Sequence, residues 1–248
     1  MTTISSPATY SHVKDPVRIQ PRAWMNGHRP LVLCGVVSSV LYIAMNALIP
    51  LQWDSYSVTS HTISELSAID APTRTLWVRW AVVYSLFLTA FGWGVYKTAG
   101  SHRSLRVVGV VLMLDGLLGL AWPPMHQRAV LAAGGGTLTD TLHIVWTFAT
   151  VLLMTLTIGF GAVALGPRFR LYSVTTLIVL VVFGVLTGLD APKLEANLPT
   201  PWVGVWERIS VAADMLWVAV LAVTLLRRSA EDVGVASAPM GSSCSTWR

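Results

Sequence analysis

Six stretches of the chain are continuously apolar, and the segments between them are polar or broken by proline and glycine. The stretches are Leu31–Ile49, Leu76–Tyr96, Leu105–Trp122, Thr141–Leu165, Leu171–Leu189 and Val205–Leu226. Each approaches the roughly 20 residues an α-helix needs to cross the hydrocarbon core of a bilayer. The third is the shortest and carries Asp115. None shows the alternation over about ten residues that marks a transmembrane β-strand. The pattern therefore predicts an all-α, polytopic membrane protein, a bundle of six transmembrane helices. Residues 1–28 are polar, contain three prolines and lack an apolar core followed by a cleavage site, so they read as a flexible segment rather than a signal peptide. Residues 29–228 read as the transmembrane domain. Residues 229–248, rich in small polar side chains, read as a disordered tail.

Composition agrees. The 248 residues are 54% hydrophobic and 12% charged, about half the charge of an ordinary soluble domain, and the mean hydropathy is +0.61. The net charge of +5 does not imply nucleic acid as a partner, because no basic helix with interleaved aromatics is present. The basic residues instead sort by side. With the N-terminus inside, five of the 17 lysines and arginines fall outside (Arg74, Arg79, Arg128, Lys193 and Arg208) and the other twelve fall inside. The positive-inside rule then predicts an N-in/C-in protein of the cytoplasmic membrane. Trp53, Trp77, Trp122, Trp202 and Trp206 fall at the outer interface, as an aromatic belt would. The two cysteines, Cys34 and Cys244, have no metal-type spacing and fall on the reducing side, which argues against a disulfide.

Candidate chemistry gathers at the outward ends of the spans. Asp140, His143, Thr147 and Thr150 form a stripe on one face of the fourth span, and an aspartate one turn from a histidine suits proton transfer or orientation of a metal ligand. His61 and Glu65 share one face if the first outer loop is helical there, and Ser64 is a nucleophile only with a base beside it. His126 follows two prolines in the second loop. Glu207 and Arg208 enter the sixth span, where Arg208 has Asp70, Asp140, Glu65 or an anionic headgroup as possible partners. His61, Glu65, His126, Asp140, His143 and Glu207 are thus the candidate ligands of a divalent metal such as zinc. Each also has a plain structural reading as a helix cap, a solvated loop histidine or a packed interfacial group. Asp115 and Asp214 lie inside the third and sixth spans. An ionisable group there is costly and turns toward the bundle interior, either as glue between helices or on a polar path.

At these residues the chain resembles a bacterial family of six-helix membrane proteins, domain of unknown function 998. The resemblance spans Leu31–Leu226. It is carried by Ile-Ser-Glu-Leu at 63–66 with the following Pro72, the proline-terminated third span, His143, and the Glu207–Arg208 pair. The first-loop pattern is also distantly similar to the Frag1/DRAM/Sfk1 group, some members of which are linked to lipid remodelling. The resemblance implies the architecture and directs attention to Ser64, Glu65, His143, Glu207 and Arg208 as candidate catalytic positions. Where the family often has an acidic residue after the proline of the third helix, this chain reads Pro-Pro-Met-His-Gln-Arg.

Three functional readings compete on the sequence. One is an enzyme with an outward-facing site, metal-dependent or not, acting on a lipid or lipid-linked substrate. Another is a proton-coupled transporter, and the third a non-catalytic scaffold whose polar groups hold the bundle together. A pocket closed on the inner side favours the enzyme, a continuous polar path past Asp115 favours transport, and dispersed side chains favour the scaffold.

Overall fold

The computed structural model describes residues 27–236, with side chains through 228. The expected flexible N-terminal segment, up to residue 26, and residues 237–248 of the expected tail lie outside the described residues. Six long helices dominate: α1 (Arg29–Leu48), α2 (Arg74–Thr98), α3 (Arg103–Leu120), α5 (Leu138–Ala164), α6 (Pro167–Leu189) and α8 (Val203–Ala236). Two short helices, α4 (Arg128–Ala132) and α7 (Ala191–Glu195), sit in loops that the sequence pattern leaves irregular. No strand occurs among the described residues. The last helix continues past Arg228 to Ala236, into the segment expected as tail.

Five helical segments are long and apolar enough to cross a membrane: Arg29–Gln52, Arg74–Thr98, Leu138–Ala164, Pro167–Glu195 and Val203–Arg228. Their outward faces are apolar, with Val40, Leu171 and Ile178 among the most exposed side chains. In water such a surface would drive association; in lipid it is the expected exterior. α3 differs because its 18 residues contain Arg103, Arg106 and Asp115.

The long helices follow one another round a ring, α1–α2–α3–α5–α6–α8 and back to α1. Short connections set the neighbours. α5 passes to α6 through Gly166, whose φ of +99° lies in the region that favours glycine. Pro167 then opens α6 at a position where its missing N–H is harmless. α2 and α3 approach so closely that a Cβ at Gly109 would lie 2.5 Å from the Tyr96 backbone nitrogen. Small residues at such crossings let helix backbones meet in a membrane, where no hydrophobic force drives them together.

The two ends of the ring differ. At the short-turn end the interior is solid, filled by Phe91, Val95, Val108, Leu112, Ile158, Phe169, Trp217 and Leu221. Trp217 reaches across the ring to lie against Gly161 of α5, and its Nε1 donates to Ser173 Oγ at 2.9 Å. Arg228 donates to the Leu165 carbonyl at 2.6 Å, closing the end of α5. At the other end, the long loops 49–73, 121–137 and 190–202 fold over the mouth.

Candidate functional site

Loop one is fastened to α8 by two adjacent side chains with opposite chemistry. Glu207 Oε2 accepts from the Ile63 backbone N–H at 2.5 Å. Arg208 donates from Nη1 to the carbonyls of Val58 and His61 at 2.8 and 3.1 Å, and from Nη2 to the Tyr56 hydroxyl at 2.6 Å. The carboxylate thus takes a loop donor and the guanidinium takes loop acceptors, satisfying backbone groups that no helix serves. Burial pushes the Tyr56 hydroxyl's pKa up, against the pull of the neighbouring guanidinium. Gly204 lets the loop lie on the first turn of α8: a side chain there would overlap the carbonyls of His61 and Val58. None of the acidic partners expected for Arg208 (Asp70, Asp140 or Glu65) receives it, because loop carbonyls surround its guanidinium first.

The 3-10 turn Ser64–Ser67 buries Glu65, which is 4% exposed. Its partner is Arg128, the first residue of α4, itself 9% exposed. Nε donates to Oε1 at 2.5 Å and Nη2 to Oε2 at 2.7 Å, a bidentate pair. The rest of each group is also used. Glu65 Oε2 accepts from the Thr62 N–H at 2.6 Å, and Arg128 donates to the Ser60 carbonyl and to Thr200 Oγ1, each at 2.7 Å. One ion pair therefore joins all three long loops. Such pairs persist in a low-dielectric site only when the remaining donors and acceptors are satisfied, as they are here.

Asp140 and His143 do not pair. Asp140 sits at the third position of α5, and its carboxylate turns back to the helix start, where Oδ2 accepts from the Thr137 N–H at 2.8 Å. That carboxylate also takes His126, accepting from its backbone N–H at 2.7 Å and meeting its Nδ1 at 2.9 Å. Helical side chains lean toward the N-terminus, so Asp140 leans away from His143. His143 is 6% exposed, and its Nδ1 lies 2.9 Å from the Pro123 carbonyl. A carbonyl only accepts, so Nδ1 carries the proton and Nε2 is left as a bare acceptor in the neutral ring. Trp122 and Trp146 flank the imidazole at 5.1 and 6.1 Å between centroids.

A cavity of about 1180 Å³ occupies the loop-end half of the ring. Its walls come from α5 between Leu138 and Met154, α6 between Leu180 and Leu189, α8 at Glu207, Ser210 and Val211, and Thr62–Ser64 of loop one. Most of the lining is apolar or aromatic. Gly188 faces open space, since a Cβ there meets nothing within 4 Å, and a Cβ on Gly184 would meet only Ser210 Oγ at 3.9 Å. Ser64, His143 and Glu207 reach the same cavity from three separate segments. Thr150, lower on α5, adds a buried hydroxyl without a partner among the described residues. The cavity does not extend below Met154 and Leu180, where the Trp217 layer fills the ring.

Asp115 and Asp214 lie within electrostatic reach of each other and of Tyr84. Asp214 is 3% exposed and Asp115 half-buried. Neither makes a hydrogen bond among the described residues. Tyr84 lies with its ring tilted against that of Tyr42, 4.8 Å between centroids, and the Tyr42 backbone carbonyl accepts from Asn46 Nδ2 at 3.0 Å. The two carboxyls share the ring interior, but not by the interhelical hydrogen bonds that a glue role would give.

The residues expected to bind a metal therefore separate. Glu65 is consumed by Arg128, His126 and Asp140 by one another, and His61 accepts from the Ser57 N–H at 3.0 Å while stacking on Tyr56. Only His143 and Glu207 remain directed to the cavity with free acceptor atoms. No cluster of three or more histidine, cysteine, aspartate or glutamate side chains able to hold a metal occurs among the described residues. Of the expected catalytic set, Ser64, His143 and Glu207 face one space, and Glu65 and Arg208 hold the loop that supplies Ser64. The residue that sequence reasoning missed is Arg128. Its signal was Glu65 itself, a carboxylate in an apolar Ile-Ser-Glu-Leu segment that needs a cation when buried.

A family described as Protein of unknown function (DUF998) matches residues 36–224. No curated protein and no solved structure matches the chain, and the distant likeness to the Frag1/DRAM/Sfk1 group has no counterpart among these matches.

Proposed function

The chain belongs to the DUF998 family, and from its geometry we propose that it takes a lipid-type amphiphile from the membrane into the ring cavity and acts on the polar end with Ser64, His143 and Glu207. One observation carries this reading. Three chemically competent side chains from loop one, α5 and α8 line a single, largely apolar cavity. Its volume slightly exceeds the usual range for small-molecule sites, about 300–1,000 Å³, which suits an acyl or isoprenoid chain. His143 Nε2 is the base of the set and Ser64 the hydroxyl it would serve. No metal is needed for that division of roles.

In this reading α3 is a sixth span. It lies in the ring between α2 and α5, and its 18 residues rise about 27 Å, close to the hydrocarbon thickness. The short turns, rich in arginine, face the cytoplasm and the loops face outward in a bacterial cell membrane. The loop-side cations support this orientation: Arg128 and Arg208 are held inside the fold and Lys193 pairs with Asp190 at 2.7 Å.

The filled interior below Met154 and Leu180 speaks against a transport path. A scaffold reading draws on the fastenings of loop one, since Glu65, Arg128 and Arg208 all serve structure. Lipid analysis separates the two. Protein purified in mild detergent and extracted with organic solvent should yield near-stoichiometric co-purified amphiphile by mass spectrometry. Gly188→Leu, whose Cβ enters open space at the cavity wall, should abolish it while the protein stays folded. An empty parent protein, or undiminished lipid in the variant, would leave the scaffold reading in place.

A further inference from the structure

The lining of the cavity has a charge bias that selects among amphiphiles. Its ionisable residues are Asp140, Glu195, Glu207 and His143, with no lysine or arginine. The two nearby guanidiniums are turned elsewhere, Arg128 to Glu65, Ser60 and Thr200, and Arg208 to loop carbonyls and Tyr56. A phosphate or carboxylate head would meet carboxylates with no cation to receive it. Conversely, the cavity offers acceptors. Glu207 uses Oε2 for Ile63 N–H, and Oε1 takes no hydrogen bond from the described residues. His143 Nε2 is a bare acceptor because Nδ1 is bound to Pro123.

We propose that the cavity selects a long-chain amphiphile whose head donates hydrogen bonds and carries no negative charge, a fatty amine or alcohol, received by Glu207 and His143. This rests on the reading that the cavity takes an amphiphile at all, and adds the chemistry of its head. The chain would lie along the apolar walls of α5 and α6, beside Phe148, Val151, Val181 and Val185. The head would reach Glu207 at the level of loop one. An ammonium gains both the charge and the hydrogen bond of the carboxylate, and an alcohol gains the hydrogen bond alone, so the amine should lead.

Equimolar hexadecylamine, hexadecanol and hexadecyl phosphate, added to the full-length protein in detergent and read by native mass spectrometry, test this. The expected occupancy is highest for the amine, then the alcohol, with the phosphate at least tenfold below the amine. Phosphate occupancy equal to or above that of the amine would overturn the head selectivity while leaving amphiphile binding intact. Failure of all three to bind would instead remove the underlying reading. Glu207→Gln keeps a carbonyl for the Ile63 N–H and should bring the amine down to the level of the alcohol. An unchanged amine preference in that variant, with melting like the parent's, would exclude Glu207 as the receiving group. Gly188→Leu should reduce all three, and undiminished binding there would place the ligand outside the cavity.

Discussion

Arg128 holds both carboxylate oxygens of Glu65 across 63 positions of sequence, and the pair is the point where the three long loops meet. Removing one partner leaves the other charged and buried, which typically costs about 3–5 kcal/mol. Arg128→Met and Glu65→Leu should each lower the melting temperature in detergent strongly. The double variant should recover part of the loss, because no uncompensated charge remains. Single variants that melt like the parent, measured by tryptophan fluorescence, would show that the pair does not hold the loops.

Orientation can be read chemically. In a background lacking Cys34 and Cys244, cysteines at the exposed positions Asp54, Ala133 and Ala196 should react with an impermeant maleimide in intact cells. Cysteines at the exposed positions Ser101 and Arg168 should react only after lysis. The reverse pattern would place the cavity mouth on the cytoplasmic side.

Two glycines should respond oppositely to the same substitution. Gly109→Ala inserts a methyl against the Tyr96 backbone and should destabilise by about 1–3 kcal/mol through overpacking. Gly159→Ala meets nothing within 4 Å and should be neutral or slightly stabilising. Equal melting temperatures for both variants would contradict the close α2–α3 crossing.

Asp115 and Asp214 place two carboxyls in one apolar interior without hydrogen bonds among the described residues. Such burial is unfavourable. Asp214→Asn and Asp115→Asn should therefore melt at or above the parent temperature. A drop of several degrees in either variant would mean that a carboxyl makes a stabilising contact after all. If the pair serves function, the same variants should lose it without losing stability.

The long apolar helices were legible because a transmembrane span writes its length directly into composition. α3 sits at the margin for the same reason, since Arg103, Arg106 and Asp115 dilute its apolar run. The site was legible only as a set of positions. Ser64, His143 and Glu207 stand at loop-proximal ends, and topology alone brings those ends together. Their partners were not legible. Asp140 shares a helix face with His143, but its carboxylate serves the free N–H groups at the helix start and takes His126 with them. Arg128 looked like one more outer charge, because nothing local distinguishes a solvated arginine from one that buries against a carboxylate in another loop. Proximity of unlike charges distant in sequence is decided by how the loops fold over the ring, and hydrophobic periodicity does not encode that.

The tryptophan at 217 gives the cavity a floor, so nothing that occupies it passes on through the packed end of the ring. An outgoing molecule therefore leaves on the same half of the ring by which the next one arrives. Turnover in such a chamber is governed by exchange on that one half. If chemistry occurs inside, its kinetic signature is inhibition by its own product, competitive with the incoming molecule and relieved when the surrounding membrane dilutes the product away.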